Sequence, residues 1–107
     1  MSIGIDIVSL KHIKNEELLA KKILSKEEYE IYLRRVNKKE FLAGRWAAKE
    51  AFLKANGVGL IGKNAINMAD ISIVNEKNGR PILKYKDKIY DVSISHEEEY
   101  AVAVVNI

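Results

Sequence analysis

The chain has 107 residues, 48 % of them hydrophobic and none of them cysteine. That fits a single folded domain with a modest core, not a disordered chain, and it excludes disulfides and thiolate metal sites. A balance of 18 basic against 15 acidic residues, net +3, suits an acidic partner or a phosphorylated ligand and falls short of the dense basic footprint of a nucleic-acid binder.

Met1 to Asp6 lacks a basic leader region and carries a carboxylate where a signal peptide would be apolar. No apolar run reaches membrane-spanning length. The expectation is a soluble cytoplasmic protein with no membrane partner.

Ile3 to Val8 reads as a first strand. Ile3, Ile5 and Ile7 alternate onto one face; Gly4, Asp6 and Val8 take the other. A carboxylate inside an apolar strand is unusual. Asp6 is either a hydrogen-bonded residue near a strand end or a metal ligand or catalytic carboxylate, and Gly4 leaves space beside it. Ser9 to Ile23 is a short basic helical region with Lys11, His12, Lys14, Lys21 and Lys22, read first as a solvated face. Ser25 caps a helix to about Val36, with Glu28 at capping-box spacing and Tyr29, Ile31, Tyr32 and Leu33 as packing surface.

The stretch around which the chain is organised is a helix from Asn37 to Asn56. Asn37 and Glu40 have capping-box spacing, and Asn56-Gly57 supplies a left-handed stop. At about 100° per residue, Phe41, Ala48, Ala51, Phe52 and Ala55 form one apolar stripe; Leu42, Trp46 and Leu53 form a second. Two stripes point to a helix packed on its own sheet and on a second surface, which in so short a chain could belong to another subunit.

Gly57 to Asn64 carries three glycines and Lys63. Glycine-rich backbone can approach phosphates, but a P-loop precedes a helix and this segment follows one, so a plain connecting loop is the competing reading. The rest is β: Ala69 to Val74, a turn at Asn78-Gly79-Arg80, Pro81 leading into Ile82 to Tyr85, a polar link Lys86-Asp87-Lys88, then Ile89 to Ser95 and Tyr100 to Val105 joined through His96 to Glu99. The order predicts an α+β fold, a long helix on a mostly antiparallel sheet.

With two histidines and no cysteine, a histidine-rich metal site and a thiol nucleophile are out. Asp6 and Glu50, with Arg45, Lys49, Lys54 and His96, are the residue types that hold Mg²⁺ and phosphates. By spacing alone, Glu50 and Lys54 are equally a surface i,i+4 pair, and His96 could simply close a turn.

Five segments occur in order: Gly4-Ile5-Asp6-Ile7-Val8, Arg45-Trp46-Ala47-Ala48-Lys49-Glu50-Ala51, Gly57-Val58-Gly59, Asn78-Gly79-Arg80-Pro81 and Ser93-Ile94-Ser95-His96. Together they resemble the holo-[acyl-carrier-protein] synthases, the small bacterial class of 4′-phosphopantetheinyl transferase, over nearly the whole chain. The resemblance implies a homotrimer with active sites between subunits. It also implies transfer of 4′-phosphopantetheine from coenzyme A to a serine of an acidic apo acyl carrier protein, releasing adenosine 3′,5′-bisphosphate. Carried over residue by residue, Asp6 and Glu50 are the Mg²⁺ ligands. Arg45, Lys49 and Lys54 match basic positions that meet coenzyme A phosphates. Gly57, Gly59 and Lys63 lie in the glycine segment beside the nucleotide, and His96 contacts the same ligand. Glu50, Lys49 and His96 form the catalytic set, with a water activated near Glu50, or else His96, as general base.

This chain departs from the family pattern in four places. His12 stands where relatives carry an Arg that holds the carrier, and Ser9 where they carry a Glu. Trp46 replaces a Phe, and the connection between the Ile82 and Ile89 strands is short. Lys11, Lys14, Lys21 and Lys22 are candidates to replace the missing carrier-binding charge. The competing function, from a different class, is a non-catalytic module that binds coenzyme A or the carrier.

Overall fold

The computed structural model describes residues 2–57 and 66–107. These residues form β1 (Ile3–Ser9), α1 (Glu16–Ile23), α2 (Lys26–Arg34), α3 (Lys38–Ala55), β2 (Ser72–Asn75), β3 (Pro81–Tyr85), β4 (Lys88–His96) and β5 (Tyr100–Asn106), with 3₁₀ turns at Leu10–His12 and Met68–Asp70. The sheet order is β1-β5-β4-β3-β2 and every pairing is antiparallel. The expected α+β architecture is therefore the one observed. β1 and β2 are the two edges, and the first and last strands of the chain pair along their whole length.

α3 crosses one face of this sheet. Ala47, Ala48 and Ala51 are fully buried, as are Ala101 and Val105 of β5. Small residues on both sides let helix and sheet approach closely. At Gly4 the approach is extreme: a Cβ there would lie 1.9 Å from the Ala51 carbonyl oxygen. Only glycine fits, and this contact brings β1 against the C-terminal half of α3. Phe52 fills the centre, its ring 5.5 Å from Tyr85 and 5.2 Å from Tyr90. A side chain of that size buried completely contributes about 1.5–3 kcal/mol.

The second stripe of α3 is covered only in part by the chain itself. Leu42 is fully buried, and Trp46 and Leu53 are half-buried. Trp46 lines an open groove with Leu18 and Leu19 of α1. A contiguous uncovered apolar surface lies on the other side of the sheet, where Ile3, Ile5 and Ile7 are 69 %, 58 % and 63 % exposed and Val104, opposite Ile5, is 38 % exposed.

Local chemistry explains most boundaries. Ser25 and Glu28 form a complete capping box, with Ser25 N–H to Glu28 Oε1 at 2.9 Å and Glu28 N–H to Ser25 Oγ at 3.2 Å. Asn56-Gly57 ends α3 with Gly57 at φ +67°. Asn37 precedes α3 as expected but makes no side-chain cap bond, and Glu40 turns instead to His96. The strand expected from Ala69 begins only at Ser72, because the Asn67 side chain accepts from Ala69 N–H and winds Met68–Asp70 into a 3₁₀ turn. α2 stops at Arg34, two residues short of Val36. Gly79, at φ +89°, closes the β2–β3 loop, while Lys86 and Asp87, both at positive φ, make the β3–β4 turn.

Candidate active site

α3 carries three sets of charged side chains, and the structure sends them to three places. The first is at its C-terminal end. Asp6 lies on the helix-facing side of edge strand β1, with Gly4 two residues before it holding the strand against α3. Lys54 Nζ is 2.9 Å from Asp6 Oδ1 and 3.1 Å from the Ile5 carbonyl oxygen. The ion pair suggested by spacing, Glu50 with Lys54, is thus replaced by Asp6 with Lys54. Glu50 completes the cluster. Its carboxyl is pushed above the usual carboxylate range, first by partial burial and then by the charge of Asp6, with Lys54 and Trp46 pulling the other way.

Among the described residues no third carboxylate or histidine joins Asp6 and Glu50. Two carboxylates that repel each other beside open solvent are a fitting donor set for a hard divalent cation whose other ligands come from phosphate and water.

The second set is Arg45 with His96. Arg45 lies about 140° around the helix from Glu50 and about 180° from Lys54, and it points to the opposite edge of the sheet. Its Nη2 donates to the Ile73 carbonyl at 3.4 Å and to Asn75 Oδ1 at 3.3 Å. Its guanidinium stacks 4.2 Å from the Phe41 ring centroid, and Arg35 approaches the same ring at 5.1 Å. Burial, and then the charge of Arg35, lower the Arg45 pKa to about 10, against the pull of Glu28. Arg45 therefore remains charged at neutral pH, and its Nε is buried without a hydrogen-bond partner. His96, at the end of β4, has its Nδ1 3.4 Å from Glu40 Oε2. Arg35, Arg45, Asn75, Gly79 and His96 line one cleft of about 600 Å³. Arg35 and Arg45 against the single carboxylate of Glu27 give its lining a net positive charge, which suits a phosphorylated ligand.

The third is Lys49, and here the sequence-based expectation is corrected. Lys49 is fully buried. Its ammonium donates to Glu28 Oε1 at 2.5 Å, to the Ile23 carbonyl at 2.7 Å and to the Met68 carbonyl at 2.9 Å. All three ammonium protons are used inside the core, so it has none to offer a phosphate or a reacting atom. Burial pulls its pKa down and Glu28 pulls it back. Glu28 also accepts from Ile73 N–H at 2.9 Å. One buried pair therefore ties α1, α2, α3 and β2 together.

Gly57 acts as the helix stop. Gly59 and Lys63 lie outside the described residues. His12 and the lysines Lys14 and Lys22 rim the groove that contains Leu18 and Trp46, while Lys21 borders a separate hollow with Leu24 and Tyr29. Sequence reasoning missed Arg35, Phe41 and Asn75 as cleft residues and Glu28 as the partner of Lys49. Only Phe41 carried a signal, its place on α3 one turn before Arg45.

The profile of the 4′-phosphopantetheinyl transferase superfamily matches residues 2–105. The chain belongs to that superfamily, and within it sequence and fold place it with the holo-[acyl-carrier-protein] synthases. It is 48 % identical to the holo-[acyl-carrier-protein] synthase of Geobacillus sp. (strain WCH70), covering 100 % of this chain and 95 % of that one. The Bacillus subtilis (strain 168) synthase is 43 % identical, with 98 % and 93 % covered. The crystal structure of the Bacillus anthracis synthase in complex with CoA (3′,5′-ADP) superposes with a TM-score of 0.85 at 41 % identity, covering 97 % of this chain and 92 % of that one. The Helicobacter pylori synthase in complex with coenzyme A gives 0.79 at 32 % identity, with 96 % of each chain covered.

Proposed function

We propose that this chain transfers 4′-phosphopantetheine from coenzyme A to a serine of apo acyl carrier protein in a Mg²⁺-dependent reaction, releasing adenosine 3′,5′-bisphosphate. The observation that carries the reading is the pairing of Asp6 and Glu50 beside Lys54 on one side of α3 with an Arg45–His96 cleft on the other. The serine hydroxyl attacks the phosphorus that bears pantetheine. A new phosphorus–oxygen bond forms, the pyrophosphate bond breaks, and the bisphosphate leaves with the electron pair. The serine proton passes to a base, for which a water held near Glu50 is the first candidate and His96 the second. Asp6 and Glu50 would hold Mg²⁺, which when bound neutralises the pyrophosphate. Lys54 is placed to pair with the same phosphates, and Arg45 and His96 with the nucleotide end.

Arg45 and the Asp6 cluster belong to opposite edges of the sheet, so one protomer cannot close both around the phosphates of one ligand. A homotrimer resolves this, with the acidic cluster of one protomer facing the arginine cleft of the next. The exposed face of Ile3, Ile5, Ile7 and Val104 supports such an assembly. The acidic carrier fits the groove of Leu18 and Trp46 rimmed by His12, Lys14 and Lys22. No helix among the described residues is long and apolar enough to cross a membrane, and a cytoplasmic site of action goes with this reading.

The test is a mass spectrum of apo carrier protein incubated with this protein, coenzyme A and Mg²⁺, with an EDTA control. A metal-dependent gain of one phosphopantetheine group is expected, lost in Asp6→Ala and Glu50→Ala. Retained coenzyme A with no gain across several carriers would instead establish a binding module.

A further inference from the structure

Lys54 has a partner within the chain and, on the reading above, a second one in the ligand, and its single ammonium cannot serve both fully. It lies 2.9 Å from Asp6 Oδ1. The two residues differ in freedom. Lys54 is 57 % exposed on a flexible four-carbon stem, whereas Asp6 is 17 % exposed on a strand paired along its length with β5. The lysine is the partner that can leave. Glu50 adjoins this pair on the previous turn of α3 and has no salt bridge of its own among the described residues. One ammonium therefore stands near two carboxylates, paired with Asp6 and acting on Glu50 only through its charge. A divalent cation approaching Asp6 meets an ammonium already on its carboxylate and is repelled by it. A pyrophosphate arriving at the same place offers the ammonium a stronger, doubly charged acceptor.

From this geometry we infer that Lys54 is an internal counter-ion that couples divalent-cation binding to coenzyme A binding: it guards Asp6 until the ligand's phosphates draw it away. The inference rests on the proposed metal site at Asp6 and Glu50. It gives Lys54 a role beyond phosphate contact, because the same movement opens a coordination position and places a cation on the ligand. The coupling is reciprocal, so the divalent cation also raises the affinity for coenzyme A.

Mn²⁺ binding, followed by electron paramagnetic resonance of the free ion and corrected for Mn²⁺ held by coenzyme A alone, tests this on the intact protein. The parent is expected to bind Mn²⁺ weakly alone and about tenfold or more tightly with coenzyme A. Lys54→Gln, an exposed and structurally mild change, is expected to bind Mn²⁺ about tenfold more tightly than the parent without coenzyme A, with the coenzyme-dependent gain reduced to about twofold or less. Lys54→Arg keeps the charge and should keep the coupling. Unchanged Mn²⁺ affinity in Lys54→Gln, with binding still abolished by Asp6→Asn, overturns the counter-ion role and leaves the metal site standing. Absence of Mn²⁺ binding in every variant, with or without coenzyme A, overturns both.

Discussion

Lys49 offers the sharpest division between a catalytic and an architectural residue. Replacing it with Met keeps the volume and removes the ammonium, leaving Glu28 buried, charged and without its cation. Both side chains of the pair are 0 % exposed, so no solvent screening softens the loss. Breaking such a pair from one side costs about 3–5 kcal/mol, a large part of the stability of a small domain. With a urea m-value of about 1–3 kcal/mol/M, the unfolding midpoint should fall by roughly 2 M. The double variant Lys49→Met with Glu28→Gln removes both charges, and its single amide oxygen can still accept from one of the Ser25 and Ile73 N–H groups, which Glu28 now satisfies with separate oxygens. It should regain part of the lost stability. Turnover per folded molecule should survive in the double variant. If Lys49→Met instead kept the parent's unfolding free energy within about 0.5 kcal/mol while losing turnover, the buried-pair argument would be refuted and Lys49 would be catalytic.

Gly4→Ala puts a methyl into the Ala51 carbonyl; it should cost about 1–3 kcal/mol or more in chemical denaturation and weaken Mn²⁺ binding, because β1 must retreat and carry Asp6 with it. Glu50→Gln should raise the melting temperature at pH 7 in EDTA while abolishing stabilisation by Mg²⁺. The sign follows from the raised carboxyl: folded Glu50 holds its proton to higher pH than unfolded Glu50, so its stabilising contribution is full below the ordinary carboxylate value and is lost as pH rises through the folded one. The gap between variant and parent should therefore close on acidification. Lys14→Glu with Lys22→Glu should raise the carrier KM about tenfold with little change in kcat and flatten the dependence of kcat/KM on salt.

The sequence carried the elements whose signals are local. The Ser25–Glu28 box, the Asn56-Gly57 stop, the Asn78-Gly79 turn and the alternation of Ile3, Ile5 and Ile7 depend on neighbours a few residues apart, and each takes its expected form. Asp6 reads as odd because a carboxylate breaks an apolar strand, and Lys54, 48 residues on, is its partner. What the sequence withheld is set by tertiary placement. Lys49 and Glu50 are adjacent in a charged motif, yet 100° of helical rotation sends one into the core and leaves the other beside Asp6. Nothing local marks Glu28 as more than a cap. The Ala69–Asp70 turn was hidden because the Asn67 side chain overrides the strand pattern that follows it.

The division of α3 into two chemical faces leads to a test of the assembly that needs no structure of it. If each site joins the Asp6 cluster of one protomer to the Arg45 cleft of its neighbour, Asp6→Ala and Arg45→Ala trimers are both inactive, but for different halves of the same site. Co-refolded in equal amounts, they form mixed trimers. A site works when its acidic half comes from an Arg45→Ala protomer and its arginine half from an Asp6→Ala protomer. In a closed ring with random mixing each condition holds half the time, so about a quarter of the sites are complete. Recovery of roughly 25 % of parent activity is expected, against none from either variant alone. If both halves were used within one protomer, every site would carry one lesion and mixing would restore nothing. Ile5→Glu, on the exposed face that would join the protomers, should abolish the recovery by leaving monomers, read by sedimentation, with α3 and both half-sites intact.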